Sequence, residues 1–212
     1  MDILEMIADE RRGMADLVEA LDEKQLATQS LCGEWSVREV IGHVTAAVAA
    51  PRSWLLPALV RGGFNVHRAN TVLARRLAAR SPAELAATLR ENATNPFKPP
   101  LVGYHGPLTD LQVHGQDIRR PLGLANWLRP DRLRLALEFL TGGTESRPAG
   151  FVTRKRLAGL RFEATDLDWS SGTGPTVAGE AEAVMLALCG RPIVLPELTG
   201  DGVPTLTTRL TP

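Results

Sequence analysis

The sequence predicts a mainly α-helical protein, with an up-and-down helical bundle over residues 1–143 and a small α+β domain over residues 151–212. Three observations support this fold class. Apolar residues recur at three- and four-residue steps through most of the first part, as in amphipathic helices packed around a core. Residues 144–150 turn to Ser, Pro and Gly, a composition typical of a boundary. Beyond them, apolar and polar residues alternate as they do in half-buried strands.

The overall composition is that of a folded globular protein. Of the 212 residues, 44% are hydrophobic and 23% are charged, which is close to globular averages and far from those of disordered chains. Basic and acidic residues number 24 each, so no net charge draws the chain to nucleic acid or to an anionic membrane. We therefore expect neither of these as a partner.

The amino terminus and the cysteines indicate the compartment. The chain begins with acidic residues where a secretory signal peptide is basic, and no apolar run approaches the roughly 18 residues of a membrane span. Cys32 and Cys189 form no C-x-x-C motif; the sequence leaves a disulfide between them open, and buried thiols are the simplest interpretation. We expect a soluble protein of the reducing cytoplasm.

The first two helices follow from apolar periodicity and a start signal. Residues 4–21 place apolar side chains on one face among charges, which predicts a first bundle helix. A second helix begins at about Val37, because the run Ser-Val-Arg-Glu at residues 36–39 has the S-x-x-E form of a capping box. Pro51 should kink or end this helix, since proline lacks the backbone donor and clashes with the preceding turn.

Four further helices complete the predicted bundle. A polar helix covers residues 66–80, and the next runs from Pro82 to about residue 91 after a second S-x-x-E start signal. The Pro- and Gly-rich residues 92–106 are predicted to form a loop. Two more helices are expected over residues 107–120 and 131–141.

The carboxy-terminal part predicts strands around one helix. Residues 160–165 alternate as a half-buried strand does, and the turn at residues 172–175 leads into a second strand. A helix over residues 180–189 follows. The alternation of Leu206, Thr208 and Leu210 predicts a last strand over residues 204–210.

Two predicted bundle helices carry residues that could hold a metal ion. Asp110, His114 and Asp117 are spaced at i, i+4 and i+7 on one helix, so they share a face beside an apolar stripe. His43 borders the apolar stripe of the second helix. Two imidazoles and one carboxylate would leave a coordination position open, as catalytic zinc sites do. The structural alternative is a hydrogen-bonded packing histidine and a pair of helix-surface residues.

The same residues lie within segments that resemble a known family. Residues 35–44 (WSVREVIGHV) and 110–123 (DLQVHGQDIRRPLG) are similar to the paired signatures of the mycothiol-dependent maleylpyruvate isomerase family, part of the DinB-like helical superfamily. The tail also resembles that family's small carboxy-terminal domain, at residues 179–183 (GEAEA), 189–192 (CGRP) and 198–202 (LTGDG). The resemblance therefore implies a DinB-like four-helix bundle with that domain behind it.

The resemblance also implies a metal and a cosubstrate. His43 and His114 match two zinc ligands of the family, and Asp110 stands where the family has glutamate, one methylene longer. The cosubstrate would be mycothiol, whose thiolate in the isomerase adds to a cis double bond, allows rotation and is eliminated to give the trans isomer. Zinc suits this chemistry, because it deprotonates a thiol whose free pKa is roughly 8.5.

Several neighbouring residues are weaker candidates for the site. Asp117 could orient an imidazole N–H, or it could be a solvated surface carboxylate. Arg119 and Arg120 could bind a substrate carboxylate, although arginines near a helix carboxy terminus more often interact with the helix dipole. His105, in the predicted loop before the site helix, could approach the metal or be exposed, and His67 is expected at the surface.

We expect a metal-dependent enzyme that activates mycothiol for isomerase or S-transferase chemistry on a small electrophile. The metal would be a divalent ion, zinc by resemblance, and no catalytic residue is assigned beyond its ligands. A non-catalytic metal- or ligand-binding module on the same fold remains the alternative, and a homodimer is compatible with either. Motifs of the common proteases, hydrolases, dinucleotide enzymes and nucleotide triphosphatases are absent from the sequence.

Overall fold

A computed structural model describes residues 1–33, 35–99, 102–143, 146 and 150–211. Helices dominate this part of the chain, and a three-stranded sheet lies near the carboxy terminus. The helices are α1 (Ile3–Ala20), α2 (Glu23–Leu26), α3 (Val37–Ala49), α4 (Arg52–Arg61), α5 (Val66–Ala78), α6 (Pro82–Glu91), α7 (His105–Arg119), α8 (Pro130–Gly142), α9 (Arg154–Leu157), α10 (Ala181–Leu188) and α11 (Val203–Leu210). The strands are β1 (Arg161–Ala164), β2 (Trp169–Gly172) and β3 (Thr176–Gly179).

The chain forms two compact units. One comprises residues 1–97 with 114–126, and the other comprises residues 98–113 with 127–212. Among the helices described, none is long and apolar enough to span a membrane.

Helices α3 and α5 pack closely in the first unit, and α1 packs on α6. Gly42 on α3 permits the close approach, because a Cβ at this position would lie 2.3 Å from the carbonyl oxygen of Ala74 on α5. Val40, Ile41 and Val44 are buried on α3. These buried neighbours fix the rotation of the helix and therefore the direction of His43 on its adjacent face.

The start of α3 is held by the capping box that the sequence predicts. The backbone N–H of Ser36 donates to Glu39 Oε2 at 2.9 Å, and the backbone N–H of Glu39 donates to Ser36 Oγ at 3.3 Å. Glu39 also accepts a hydrogen bond from Arg75 on α5 at 2.7 Å. Local and tertiary contacts thus fix the first turn of the helix that carries His43.

A buried arginine joins α1 to the chain beyond α6. Arg11 is 2% exposed, and its Nη1 donates to the carbonyl oxygens of Asn92, Ala93 and Asn95 at 2.7–3.0 Å. Burial lowers the pKa of Arg11 to about 10. Three charge-assisted hydrogen bonds offset much of the cost of removing this cation from water.

The second unit is built around α10 and the sheet. The strand order is β2-β1-β3, with β1 antiparallel to β2 and parallel to β3. Every residue of α10 is buried, and this helix packs against α8, β1 and β3. A helix that is buried along its whole length requires cover from several directions, and here the sheet and α8 supply it.

The predicted helices are found in the structure with small shifts at their ends, and the strand β1 is found as expected. Several differences concern the helices. His105 begins α7 rather than lying in the preceding loop, and the helices α2, α4 and α9 were not predicted from the sequence. The strand predicted after the turn is β3, whereas β2, which precedes the turn, was missed.

The last predicted strand is wrong, because residues 203–210 form helix α11. Leu206 and Leu210 are four residues apart, so their spacing fits one face of a helix as well as one face of a strand. Leu206 is buried and Leu210 packs against the core of the second unit. The proline at the start of α11 suits the first turn of a helix, where its missing N–H costs nothing.

The predicted boundary at residues 144–150 lies mostly outside the described residues. The compact units assign α8 to the carboxy-terminal part, because Leu133, Leu137 and Leu140 belong to the same apolar core as Phe162 and Leu186. Because most of residues 144–150 lie outside the described part of the chain, the division into domains at 1–143 and 151–212 stays a prediction.

Candidate metal centre

His43 on α3 and His114 on α7 lie side by side. Their ring centroids are 4.9 Å apart, and the ring planes meet at 76°, an edge-on arrangement. His43 is half-buried, and His114 is 7% exposed. Two imidazoles at this separation present nitrogen donors to a shared small volume from two different helices.

Trp35 lies next to both histidines. Its ring centroid is 5.0 Å from that of His43 and 6.3 Å from that of His114. The backbone N–H of Ser30 donates to the Trp35 carbonyl at 3.1 Å, so the loop before α3 fixes the backbone position of Trp35. Trp35 was not singled out from the sequence, although its position directly before the capping box of the His43 helix was a usable signal.

Asp117 contacts the ring of His114 directly. The distance from His114 Nδ1 to Asp117 Oδ2 is 2.8 Å, and Asp117 is fully buried. An ionised carboxylate only accepts hydrogen bonds, so Nδ1 is the donor and Nε2 keeps its lone pair for a cation. Carboxylate–imidazole pairs of this kind orient metal-binding histidines and raise their basicity. Burial rules out the alternative of a solvated surface carboxylate.

Asp110 lies one helical turn before His114 on α7 and is half-buried. The donor atoms of His43, Asp110 and His114 all lie within 4.8 Å of one another. Donors around a tetrahedral zinc ion are about 3.4 Å apart, so no pair of these donors is separated by more than about 1.4 Å beyond that distance. Two nitrogens and one carboxylate oxygen are a donor set that suits zinc. The residues present therefore fit a divalent ion.

The other candidates are arranged less closely around this set. His105 is the exposed first residue of α7, and nine residues at about 1.5 Å each put it about 13.5 Å from His114 along the helix axis. Arg119 donates to the Ala125 carbonyl at 3.4 Å; burial lowers its pKa, and Glu10 opposes that shift. Arg120 is half-buried just beyond the helix end, and His67 is exposed on α5.

Comparison with known proteins finds a family model that matches part of the chain. The family model of the mycothiol maleylpyruvate isomerase N-terminal domain matches residues 7–95, a stretch that includes His43. No curated protein sequence matches the chain significantly.

Two solved structures have a similar fold. One is a mycothiol-dependent maleylpyruvate isomerase, with 12% sequence identity and a TM-score of 0.52 over 94% of this chain and 91% of that one. The other, of a histidine-to-alanine mutant of such an isomerase, has 11% identity and the same TM-score and coverage. At these identities the likeness shows the fold alone. Residues 7–95 are thus similar to the mycothiol maleylpyruvate isomerase N-terminal domain, and most of the chain shares the fold of the isomerase.

Proposed function

We propose that this protein is a metal-dependent enzyme that activates mycothiol for isomerase or S-transferase chemistry on a small electrophile. The observation that carries the proposal is the grouping of His43, Asp110 and His114, whose donor atoms lie within 4.8 Å of one another. The match of residues 7–95 to the mycothiol maleylpyruvate isomerase N-terminal domain supports mycothiol as the thiol and a maleylpyruvate-like electrophile as the substrate class. Zinc is the ion that this donor set favours.

The charge of the donor set favours an anionic fourth ligand. His43 and His114 are neutral ligands, and Asp110 contributes a single negative charge, so one positive charge of a divalent ion stays uncompensated. A bound divalent ion of this kind lowers the pKa of a coordinated thiol enough to hold it as the thiolate, the reactive form. One thiolate would complete both the coordination and the charge.

Neighbouring side chains position His43 and His114 for metal binding. Asp117 accepts the Nδ1 proton of His114 and so keeps the other ring nitrogen free to bind a cation. The Trp35 ring lies next to both imidazoles, with its centroid 5.0 Å from that of His43 and 6.3 Å from that of His114. Such preorganisation lowers the cost of assembling the site when the ion and the thiol arrive.

Cobalt substitution tests the thiol step directly. The protein is stripped of metal, loaded with Co²⁺ and titrated with mycothiol. We expect an added sulfur-to-cobalt absorption band and the release of about one proton per thiol, because the coordinated form is the thiolate. His43→Ala should lose the band, whereas His67→Ala, which removes an exposed histidine of α5, should keep it.

Turnover separates the enzyme from the alternative function. The metal-loaded protein with mycothiol should accelerate the cis–trans isomerisation of maleylpyruvate or thiol transfer to a related electrophile, and His43→Ala should abolish that rate. Thiol coordination without turnover across a panel of electrophiles would favour a non-catalytic binding module. An unchanged spectrum in a protein shown to hold cobalt would rule out thiol activation.

A further inference from the structure

His114 belongs to a second group of metal-binding side chains. The donor atoms of Cys32, His114 and Asp117 also lie within 4.8 Å of one another. His114 and Asp117 are buried, and Cys32 is half-buried. This group shares only His114 with the set of His43, Asp110 and His114. The proposed function makes no use of the Cys32 thiol.

Backbone hydrogen bonds hold Cys32 at this place. The N–H of Leu31 donates to the carbonyl of Asp117 at 3.1 Å, which ties the loop to α7. The N–H of Cys32 donates to Ser30 Oγ at 3.1 Å, and the Cys32 carbonyl accepts from the N–H of Trp35 at 3.1 Å. The thiol therefore stands beside the imidazole and the carboxylate in a segment anchored on both sides. Preorganised donors of this kind favour ion binding.

We propose that Cys32, His114 and Asp117 form a second metal site, specific for a thiophilic divalent ion such as Cd²⁺. Sulfur is the donor that distinguishes it, because thiolate ligands select soft cations over hard ones. The Cys32 thiolate and the Asp117 carboxylate carry two negative charges, which neutralise a divalent ion without any added thiol. On binding, the Cys32 thiol proton passes to the solvent as the metal–sulfur bond forms, while the neutral His114 ring keeps its one proton on the nitrogen that does not bind the ion.

The second site differs from the set of His43, Asp110 and His114 that would activate mycothiol, although both include His114. An ion held by Cys32 would engage Asp117, the carboxylate that otherwise orients His114. A thiophilic ion bound at the second site should therefore weaken the binding of a metal ion by His43, Asp110 and His114. The second site would make the protein sensitive to soft metals.

A cadmium titration tests the site. Metal-free protein, with no small thiol present, is titrated with Cd²⁺ while the ultraviolet sulfur-to-cadmium charge-transfer band is recorded. We expect the band to saturate at about one ion per chain. Cys32→Ser and Cys32→Ala should each abolish it. Cys189→Ser, which removes the second cysteine of the sequence, and His43→Ala should both keep it.

The variants make each outcome decisive. Persistence of the band in both Cys32 variants, or its loss in Cys189→Ser, would assign the sulfur to Cys189 and overturn the proposal. Loss of the band in His43→Ala would show that Cys32 only contacts an ion bound by His43, Asp110 and His114, and it would overturn the second site. Absence of the band in the unaltered protein would also overturn the second site. The cobalt–mycothiol experiment repeated in Cys32→Ser keeps the proposed function separately testable, since the first set is intact there.

Discussion

Asp110 approaches the candidate metal position with a side chain one methylene shorter than the glutamate that the family resemblance expects. Its place on α7, one turn before His114, brings a carboxylate oxygen within 4.8 Å of both imidazole donors. The effects of side-chain length and of negative charge can be separated at this position, because glutamate changes the length and asparagine removes the charge. The ligand role of Asp110 is a prediction that such variants can test.

Asp110→Glu should preserve or tighten zinc binding, and Asp110→Asn should weaken it about tenfold or more. Asparagine keeps an oxygen donor of nearly the same shape but loses the charge that compensates the cation. Calorimetric titration of metal-free protein with Zn²⁺ measures both affinities. Asp131→Asn, an exposed carboxylate in the first turn of α8, serves as the matched control. Equal affinity in Asp110→Asn would mean that the third donor lies elsewhere.

The helix start at Ser36 connects local structure to the site. The capping box of α3 orders the turn that leads from Trp35 to the face carrying His43. A second capping box of the same composition, Ser81 with Glu84, begins α6, which carries none of the candidate ligands. The chain thus contains two equivalent local devices, only one of which belongs to the site.

Ser36→Ala and Ser81→Ala should each lower the free energy of unfolding by about 1 kcal/mol, the usual cost of losing a helix amino-terminal cap. Only Ser36→Ala should also reduce zinc affinity, because fraying of α3 loosens the positions of Trp35 and His43. Urea denaturation gives the stabilities, and titration with Zn²⁺ gives the affinities. A similar fall in affinity for both variants would indicate a general loss of order instead of a local one.

At the scale of the whole molecule, the apolar cores of both units consist of residues other than the candidate ligands. The chain should therefore fold without metal, and an ion that binds only the folded state should stabilise it further. At a free metal concentration one hundred times the Kd, this linkage is worth about 2.7 kcal/mol.

Zinc at that concentration should raise the Tm by at least about 5 °C for a chain of this length. His43→Ala and His114→Ala should each lose most of this shift and hold well below one equivalent of metal, with little change in helical circular dichroism. Thermal scans with and without Zn²⁺, together with metal analysis of untagged protein, provide the measurements, and His67→Ala is the control. Full metal retention in both variants would reject the site.

The sequence by itself determined what short-range signals encode. The helix starts at Ser36 and Ser81 were predictable because a capping box is satisfied within four residues. The i, i+4 spacing of Asp110 and His114 gave them one face of α7, and the family signatures directed attention to His43. Each of these inferences needs only the local backbone or a linear motif.

Tertiary structure alone decided which faces meet and which polar groups are buried. The burial of Asp117 against His114 and the position of Cys32 depend on a loop bonded to α7, a contact between residues distant in sequence. Leu206 and Leu210 fit a strand or a helix equally, and packing in the second unit selected the helix. Periodicity states which side chains share a face; the surface that covers that face is set by the rest of the chain.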